Sequence, residues 1–319
     1  MLLRYVPMAD PEKLILHIPL SPGDILTATA AVESLHATYP GRYQVDVRCA
    51  VPAIWENNPH ITAIGDGDGR RIDLEYPLIQ RSNQTLAPFL AGYTENLGHH
   101  LGVPLQLTTN RPHLYLSEEE KNWRNQVRDV WEKELAGRDP KFWLVNAGVK
   151  SDFTAKQWPV EHYQEVVNHT RGRIQWVQIG GREHDHPQLS GVLDLRGKTD
   201  ARQLIRLAYH AQGGMGPVTY LQHLMAAWEK PYVCLLGGRE PVTWVQYPRQ
   251  TTFHAFGSAL SCCKGGACWK SRVVPLGEAG DEKNKSLCDH PVLGGVRPVA
   301  KCMAMIRPQE VLNVVERLL

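Results

Sequence analysis

Residues 213–227, GGMGPVTYLQHLMAA, combine residue types that could hold an anion. The glycines and Pro217 are expected to end one element, and the small residues behind them favour a closely packed helix. Thr219 and His223 are four residues apart, so this helix would place both on one face. Because the first amide protons of a helix are unpaired and its macrodipole is positive there, a phosphate is the expected partner. An ordinary helix of an α/β domain is the alternative for this stretch taken alone.

A lysine and two glycine turns are expected near the same place. Lys156 lies between a predicted strand ending at Asn146 and a helix that Pro159 begins, and glycine pairs at 180–181 and 237–238 follow two further predicted strands. Such groups converge on the carboxyl edge of one sheet, which indicates a diphosphate site. Neither GxxxxGK[ST] nor GxGxxG occurs, which disfavours a P-loop NTPase or a dehydrogenase. No acidic pair of the magnesium-binding kind lies near these turns, so the lysine and the helix dipole would neutralise a leaving diphosphate.

Asp24 is the candidate acid–base residue of the first half. The apolar run 14–18 is followed by the turn Ser21-Pro22-Gly23-Asp24 and by an alanine-rich helix over 25–35, which together make an opening βα unit. The turn lies at the carboxyl end of the strand, where parallel sheets bind ligands. Asp24 is therefore expected at the mouth of a cleft, with helix N-capping as the alternative role.

The cysteines cluster near the end of the chain. Four of them could supply thiolates to a structural zinc or iron, although their spacing is not a repeated CxxC. A set of unpaired buried cysteines is the alternative, and disulfides are disfavoured in a reducing cytoplasm. The seven cysteines include Cys262, Cys263, Cys268, Cys288 and Cys302, of which Cys263, Cys268, Cys288 and Cys302 are the predicted ligands.

The elements that must position these residues follow an α/β rhythm in both halves. Strands are predicted at 14–18, 43–49, 61–64, 72–74, 142–146, 174–179 and 232–236, and helices lie between many of them. Two doubly wound domains facing each other across a cleft is the economical architecture. A charged helix from Glu118 to about Leu135 marks the boundary, which gives domains over 1–135 and 136–307 and a last helix over 308–319.

Composition limits the classes of function. The chain has 319 residues, 43% of them hydrophobic and 21% charged, which suits a globular protein with two cores. A formal charge of +2 and a pI near 8.1 disfavour a dedicated nucleic-acid binder. The chain shows no secretory signal pattern and no apolar run of membrane-spanning length, so a cytoplasmic protein without a membrane span is expected.

Four motifs in order resemble those of the heptosyltransferase-type glycosyltransferases, family 9, which have two Rossmann-like domains in the GT-B arrangement. The resemblance covers nearly the whole chain. The motifs are 21–24 (SPGD, similar to SLGD), 156–159 (KQWP, similar to KxWP), 194–199 (DLRGKT, similar to DLxGKT), and 216–223 with Lys230-Pro231 behind it.

The resemblance implies inverting transfer of a sugar from a nucleotide-diphosphate donor of the ADP-heptose type, by chemistry that needs no metal. It places the acceptor mainly on the N-terminal domain and the donor on the C-terminal domain, and lets the last helix cross back to the first. Asp24 matches the general base, which takes the proton of the attacking acceptor hydroxyl. Glu183 resembles an acid that holds the donor ribose, with a solvated loop charge as the alternative, and His184 and His186 beside it are expected to be solvated. The residues assigned to the donor are Lys156, Glu183, Gly216, Pro217, Thr219 and His223.

One departure from the family pattern leaves the substrates open. Where the DTGxxH signature has its aspartate, this chain has Val218, so the donor could differ from ADP-heptose. The acceptor could be a glycan, a protein hydroxyl or a hydroxymethylated DNA base, although the weak net charge counts against DNA. A catalytically silent nucleotide-sugar binding protein is the alternative outside enzymes. Some protein-modifying members that resemble this chain hold iron with four cysteines, which favours a metal at the cysteine cluster.

Overall fold

The chain forms two compact units. The computed structural model describes residues 10–131, 141–258, 260–277 and 282–319. The first unit contains residues 10–79 and 89–115, and the second contains residues 80–88 and those from 116 onward. The domain boundary at residue 135, with the acceptor on one domain and the donor on the other, stays a prediction.

A three-stranded parallel sheet organises the first unit. Its elements are β1 (Glu12–Ile18), α1 (Pro22–Thr38), β2 (Tyr43–Cys49), β3 (Arg70–Asp73) and α2 (Phe89–Leu101). The strand order is β2-β1-β3, so β1 is central and Leu14, Leu16 and Ile18 on it are fully buried. The βα unit formed by β1 and α1 was predicted, and it places Asp24 in the first turn of the helix at the carboxyl end of the central strand.

The predicted strand over 61–64 is wrong. Ile61 alone pairs with Val45 of β2, as an isolated bridge. The Ile64 amide donates to the Asp46 carboxylate at 2.7 Å instead of to a neighbouring strand. The Arg48 side chain also donates to the Ile64 carbonyl at 2.7 Å, so one bridge and two side chains hold the segment to the sheet, contacts that short apolar runs do not reveal.

A six-stranded parallel sheet organises the second unit. The sheet and the helices around it are α3 (Glu118–Lys121), α4 (Gln126–Trp131), β4 (Phe142–Val145), α5 (Val160–His169), β5 (Gln175–Gln178), β6 (Leu193–Asp194), α6 (Ala201–His210), β7 (Gly213–Pro217), α7 (Tyr220–Ala227), β8 (Tyr232–Gly237), α8 (Val242–Val245) and β9 (Gln250–His254). The strand order is β6-β5-β4-β7-β8-β9, which reverses between β4 and β7 and creates the switch point where doubly wound sheets bind ligands.

The single helix predicted from Glu118 to about Leu135 is two short helices within the described residues. The Asn122 side chain donates to the Glu118 carbonyl at 2.8 Å where α3 ends. The Asn125 side-chain oxygen then accepts from the Val127 and Arg128 amides at 3.0 Å each. Asparagine favours helix caps because its side chain competes for backbone groups, so it ends one helix and starts the next. Residues 132–135 of the predicted helix lie outside the described part.

The glycines that were expected to end an element instead form the central strand β7. Glycine is poor in strands, but here its lack of a side chain permits close packing. A Cβ on Gly213 would lie 2.5 Å from the Trp143 ring of β4. A Cβ on Gly216 would lie 2.8 Å from the Asn146 carbonyl oxygen. The strand therefore depends on glycine where β4 approaches.

The last part of the chain packs within the second unit. It comprises β10 (Pro291–Gly294), β11 (Arg297–Ala300), α9 (Lys301–Ala304) and α10 (Pro308–Leu318). Val311, Val314 and Val315 of α10 belong to the same core as Tyr163 and Val166 of α5. The return of this helix to the first domain stays a prediction.

Within the described ranges, no helix combines the length and the apolar character needed to cross a membrane. The cytoplasmic location stays a prediction.

Candidate functional site

The switch point of the second unit is bridged by Asn146, which follows β4. Its side-chain nitrogen Nδ2 donates to Thr219 Oγ1 at 3.1 Å, and its side-chain oxygen Oδ1 accepts from the Gly148 backbone amide at 3.1 Å. Thr219 occupies the N-cap of α7, yet its side chain makes no capping hydrogen bond. The first-turn amides of α7 are therefore not satisfied by the N-cap side chain, which keeps this helix start suited to an anion.

Lys156 joins the loops that follow three strands of the sheet. It ends the 3₁₀ helix Ser151–Lys156, which comes after β4. Its Nζ donates to the Val218 carbonyl, beyond β7, at 3.0 Å and to Glu240 Oε1, beyond β8, at 2.8 Å. The side chain is 16% exposed, so the ammonium is held at the carboxyl edge of the sheet with limited access to solvent.

Glu240 is a buried carboxylate with two cationic partners. Arg239 Nη1 also donates to Oε1, and the Glu240 side chain is only 4% exposed. Burial opposes ionisation of Glu240, but the charges of Arg239 and Lys156 and their hydrogen bonds outweigh it and lower the pKa of this carboxyl. Two cations and one anion leave the cluster with one net positive charge, which favours a bound anion.

His223 lies on α7 within the charge field of Lys156. Its Nδ1 lies 2.8 Å from the Tyr247 hydroxyl, and the ring is buried. Burial, with a further contribution from the Lys156 charge, lowers the pKa of His223 to about 3. The imidazole is therefore neutral near pH 7, so toward a phosphate it offers hydrogen bonding and no charge.

The other residues assigned to the donor lie at the same edge in different environments. Gly216 and Pro217 are buried at the end of β7, where the Pro217 carbonyl accepts from the Tyr232 hydroxyl at 2.9 Å. Glu183 is exposed on the loop after β5. The expectation of a solvated histidine is wrong for His186, because this ring is buried and burial lowers its pKa to about 4.

Asp24 of the first unit accepts hydrogen bonds on both carboxylate oxygens. Oδ2 accepts from Ser21 Oγ at 2.5 Å and from the Ser21 amide at 3.2 Å. Oδ1 accepts from the Tyr76 hydroxyl at 3.1 Å. The contact with Ser21 is the carboxylate half of a capping box, so Asp24 supports the start of α1. The contact with Tyr76 adds nothing to the helix and instead fixes the direction of the carboxylate.

Tyr76 is itself held by aromatic residues of α2. Its ring meets those of Phe89 and Tyr93 edge-on, with centroids 4.7 and 5.1 Å away. Tyr93 is fully buried, and burial together with the Asp24 charge raises the pKa of its hydroxyl. The carboxylate of Asp24 therefore stands beside a rigid, neutral aromatic group.

A family model decides the class of the protein. Residues 93–265, more than half of the chain, match the model of glycosyltransferase family 9 (heptosyltransferase). The chain belongs to glycosyltransferase family 9. It is a glycosyltransferase of the heptosyltransferase-like kind, as the four motifs predicted.

Solved structures of family 9 proteins share this fold. The family 9 glycosyl transferase of Veillonella parvula is 14% identical, with a TM-score of 0.66 over 97% of each chain. The ADP-heptose lps heptosyltransferase II of E. coli is 16% identical, with a TM-score of 0.58 over 95% of this chain and 98% of its own. The iron-containing glycosyltransferase TibC of enterotoxigenic E. coli is 16% identical, with a TM-score of 0.60 over 98% of this chain and 77% of its own. The fold of this family 9 member is GT-B, as predicted.

No curated protein matches the sequence closely enough to count as a relative.

The cysteines of this glycosyltransferase surround a cavity of about 10 Å³ in the second unit. Burial, with the neighbouring sulphurs, raises the pKa of Cys263 to about 12 and that of Cys302 to about 11. Cysteine sulphurs are ligands that suit zinc or iron, and a bound cation would have to displace these thiol protons. Across the described ranges, no group of three or more His, Cys, Asp or Glu side chains is arranged to hold a metal ion. The cavity is lined by Cys262, Cys263, Cys268, Cys288 and Cys302.

Sequence reasoning missed three polar residues of the site. Glu240 is the second residue after the glycine turn 237–238, and Asn146 directly follows the buried strand β4. A polar residue at the carboxyl end of a parallel strand is the signal that could have found both. Tyr247, the partner of His223, lies beyond α8 and carries no such signal.

Proposed function

We propose that this glycosyltransferase moves a sugar of the heptose type from an ADP-heptose-like donor to a hydroxyl group of a glycan or a protein. The observation that carries the proposal is the Lys156 ammonium, held between the loops that follow β4, β7 and β8. The solved structures of similar fold include an ADP-heptose heptosyltransferase, which supports the choice of donor. None of the similar proteins named above is described as acting on DNA.

The donor diphosphate would lie against Lys156 and the start of α7. The net positive charge of the ion cluster and the N-terminal dipole of α7 both favour an anion at this place. In the transfer, the bond between the anomeric carbon and the diphosphate oxygen breaks, and the leaving diphosphate takes the electron pair. Fixed positive groups near that oxygen stabilise the developing charge, so no metal is needed for the chemistry.

Asp24 would act as the general base. The acceptor hydroxyl oxygen attacks the anomeric carbon from the face opposite the diphosphate and inverts its configuration, while its proton passes to the Asp24 carboxylate. Tyr76 and Ser21 each donate to this carboxylate and hold it in one orientation. A base fixed in this way needs little reorganisation at the moment of proton transfer.

Val218 occupies the position where the family signature has an aspartate, and its main chain still contacts Lys156. Its side chain is buried, and its carbonyl oxygen accepts from Lys156 at 3.0 Å. The backbone there fixes the lysine without a carboxylate on residue 218. We infer an active enzyme, with Thr219 and His223 on the donor and Glu183 placed to reach its ribose.

Binding of nucleotides tests the donor assignment. A ligand at about 100 times its dissociation constant stabilises the folded state by about 2.7 kcal/mol, so ADP and ADP-heptose should raise the melting temperature by several degrees. AMP should raise it less, because it lacks the second phosphate. Mass spectrometry of acceptors incubated with ADP-heptose should then detect the transferred sugar. A melting temperature that responds to none of several nucleotide diphosphates and their sugars would refute the donor class.

We also propose that Cys263, Cys268, Cys288 and Cys302 hold one structural zinc or iron ion, for which the thiols of the described arrangement would have to rearrange. Four thiolates are a common structural ligand set, and the neutral thiols that burial now favours would release protons on binding. The ion would fix the segment from 260 to 302 and take no part in the transfer.

Elemental analysis tests the structural ion. Purified protein should contain about one zinc or iron ion per chain, and Cys268→Ser and Cys288→Ser should each lose most of it and melt at a lower temperature. Cys49→Ser is the matched control, since this cysteine lies in the first unit and its loss should leave the metal content unchanged. Wild-type protein without zinc or iron would refute the site.

A further inference from the structure

The ion cluster of Lys156, Arg239 and Glu240 contains a carboxylate that none of the family motifs includes. We propose that Glu240 is a positioning residue, which holds the Lys156 ammonium in place for the donor diphosphate. This inference rests on the proposed function, because the diphosphate is part of that proposal. It names a residue for the donor site that the sequence did not single out.

The hydrogen bonds of Glu240 point to an electrostatic role. Both cations bond the same oxygen, Oε1. The other oxygen, Oε2, is buried and has no hydrogen-bond partner among the described residues. A carboxylate that serves only to cap backbone amides would accept its hydrogen bonds from backbone N–H groups. The observed contacts of Glu240 are instead with the two side-chain cations, and its charge fixes their positions.

Arg239 anchors Glu240, and Glu240 in turn anchors Lys156. The Arg239 guanidinium lies 5.0 Å from the Phe153 ring centre and 5.3 Å from that of Trp269, so two aromatic faces hold it. The lysine ammonium sits at the end of a flexible four-carbon stem and needs partners to take one position. It lies 5.4 Å from the same Phe153 ring. The two rings restrict the position of Arg239, and through the shared Glu240 carboxylate Arg239 restricts the position of the Lys156 ammonium.

Charge balance and positioning make different predictions, and two variants separate them. Glu240→Gln leaves two buried cations without an anion, a costly arrangement that drives the lysine to lose its proton or to move. Arg239→Met/Glu240→Gln leaves Lys156 as the single cation of the cluster, so the net charge equals that of the wild type. If the carboxylate only balanced charge, this double variant would bind ADP like the wild type.

The experiment is calorimetric titration of ADP and adenosine into the full chain. Glu240→Gln should weaken ADP binding by about tenfold near neutral pH, equivalent to about 1.4 kcal/mol, and leave adenosine binding within about twofold. The double variant should remain weakened by a similar factor. Glu240→Asp, which keeps the charge on a shorter stem, should recover part of the affinity. ADP binding by the double variant at wild-type strength would overturn the positioning role.

The pH dependence of ADP binding is a second measurement that a merely structural role would not change. Among the described residues, the Lys156 charge acts on the titratable groups of His223, Cys234 and Glu240, and the Arg239 guanidinium faces the same Phe153 ring. The pKa of His223 is lowered to about 3 and that of Cys234 is raised, mainly by burial in each case, so neither changes charge between about pH 6 and about pH 9. Loss of the carboxylate makes the lysine easier to deprotonate. The terminal phosphate of ADP also titrates in this range, so the readout is the ratio of wild-type to Glu240→Gln affinity, which should be larger at about pH 9 than at about pH 6.

Glu120→Gln controls for general damage to a buried ion pair. Glu120 pairs with Arg202 at 2.6 Å, also in the second unit, with similarly limited exposure of both side chains. This variant should lower the melting temperature and leave ADP affinity unchanged. Equal ADP affinity in Glu240→Gln and the wild type would overturn the inference alone. A wild type that binds ADP no better than adenosine would instead refute the proposed donor, and the inference with it.

Discussion

Replacing Asp24 with asparagine is expected to reduce turnover by about 10²–10⁴-fold and to leave ADP affinity within about twofold of the wild type. Asparagine keeps only one of the two acceptor oxygens that serve Ser21 and Tyr76, and it cannot take the proton of the acceptor. The residues proposed to bind the donor all belong to the second unit and are unchanged. Initial rates with ADP-heptose and a glycan or protein acceptor, together with ADP titration, measure the two effects separately.

Two matched variants separate the base from the support it receives. Ser21→Ala removes the 2.5 Å bond to Asp24 and should lower stability by about 1 kcal/mol, as loss of an N-cap does, while turnover falls far less than in Asp24→Asn. Tyr76→Phe removes only the bond to Oδ1 and should give an intermediate loss of turnover. If Asp24→Asn folds, binds ADP and retains more than about a tenth of wild-type turnover, Asp24 is not the base.

The parallel sheets were largely predictable because each strand is a short apolar run followed by a turn. The predicted bounds of β2 match the structure, since apolar and polar residues alternate along it. β7 was not predictable in this way. Its glycines serve the close approach of Trp143 and Asn146, a contact between distant parts of the chain that local propensity does not contain.

The site was predictable where a motif fixed both the residue type and its place in the fold. Lys156 and His223 lie close enough for the lysine charge to influence the histidine, although they are 67 positions apart in the chain. Glu240 was not predictable, because a glutamate after a glycine turn is usually a solvated loop charge. Its burial as an ion depends on Lys156, which comes from the loop after β4 and which only the tertiary structure brings to Arg239 and Glu240.

The roles of Thr219 needed the structure as well. The sequence placed Thr219 and His223 together on the face of one helix, whereas Thr219 is the N-cap residue and lies just outside α7. Its hydroxyl accepts from Asn146 and so ties the helix start to β4. This arrangement strengthens the case for an anion at the helix start, because the N-cap oxygen is engaged elsewhere.

Replacing Lys156 with methionine is expected to lower kcat/KM for the donor by about 10²–10³-fold. The ammonium is the cation of the cluster that reaches three loops at the carboxyl edge, and the leaving diphosphate gains charge as its bond to the sugar breaks. The variant should still fold, because Glu240 keeps Arg239 as its partner and the buried pair stays neutral. Steady-state kinetics with ADP-heptose, and the melting temperature without ligand, measure both expectations.

Arg239→Met is the matched control for Lys156→Met, since each variant removes one cation from the same carboxylate. If the field of the cluster alone attracted the diphosphate, the two variants would weaken ADP binding equally. If Lys156 contacts the diphosphate directly, Lys156→Met should lose at least about tenfold more ADP affinity than Arg239→Met, because a contact held by hydrogen bonds outweighs a charge at a distance. Equal losses of ADP affinity would show that the cluster as a whole attracts the anion, and would refute a direct contact between Lys156 and the diphosphate.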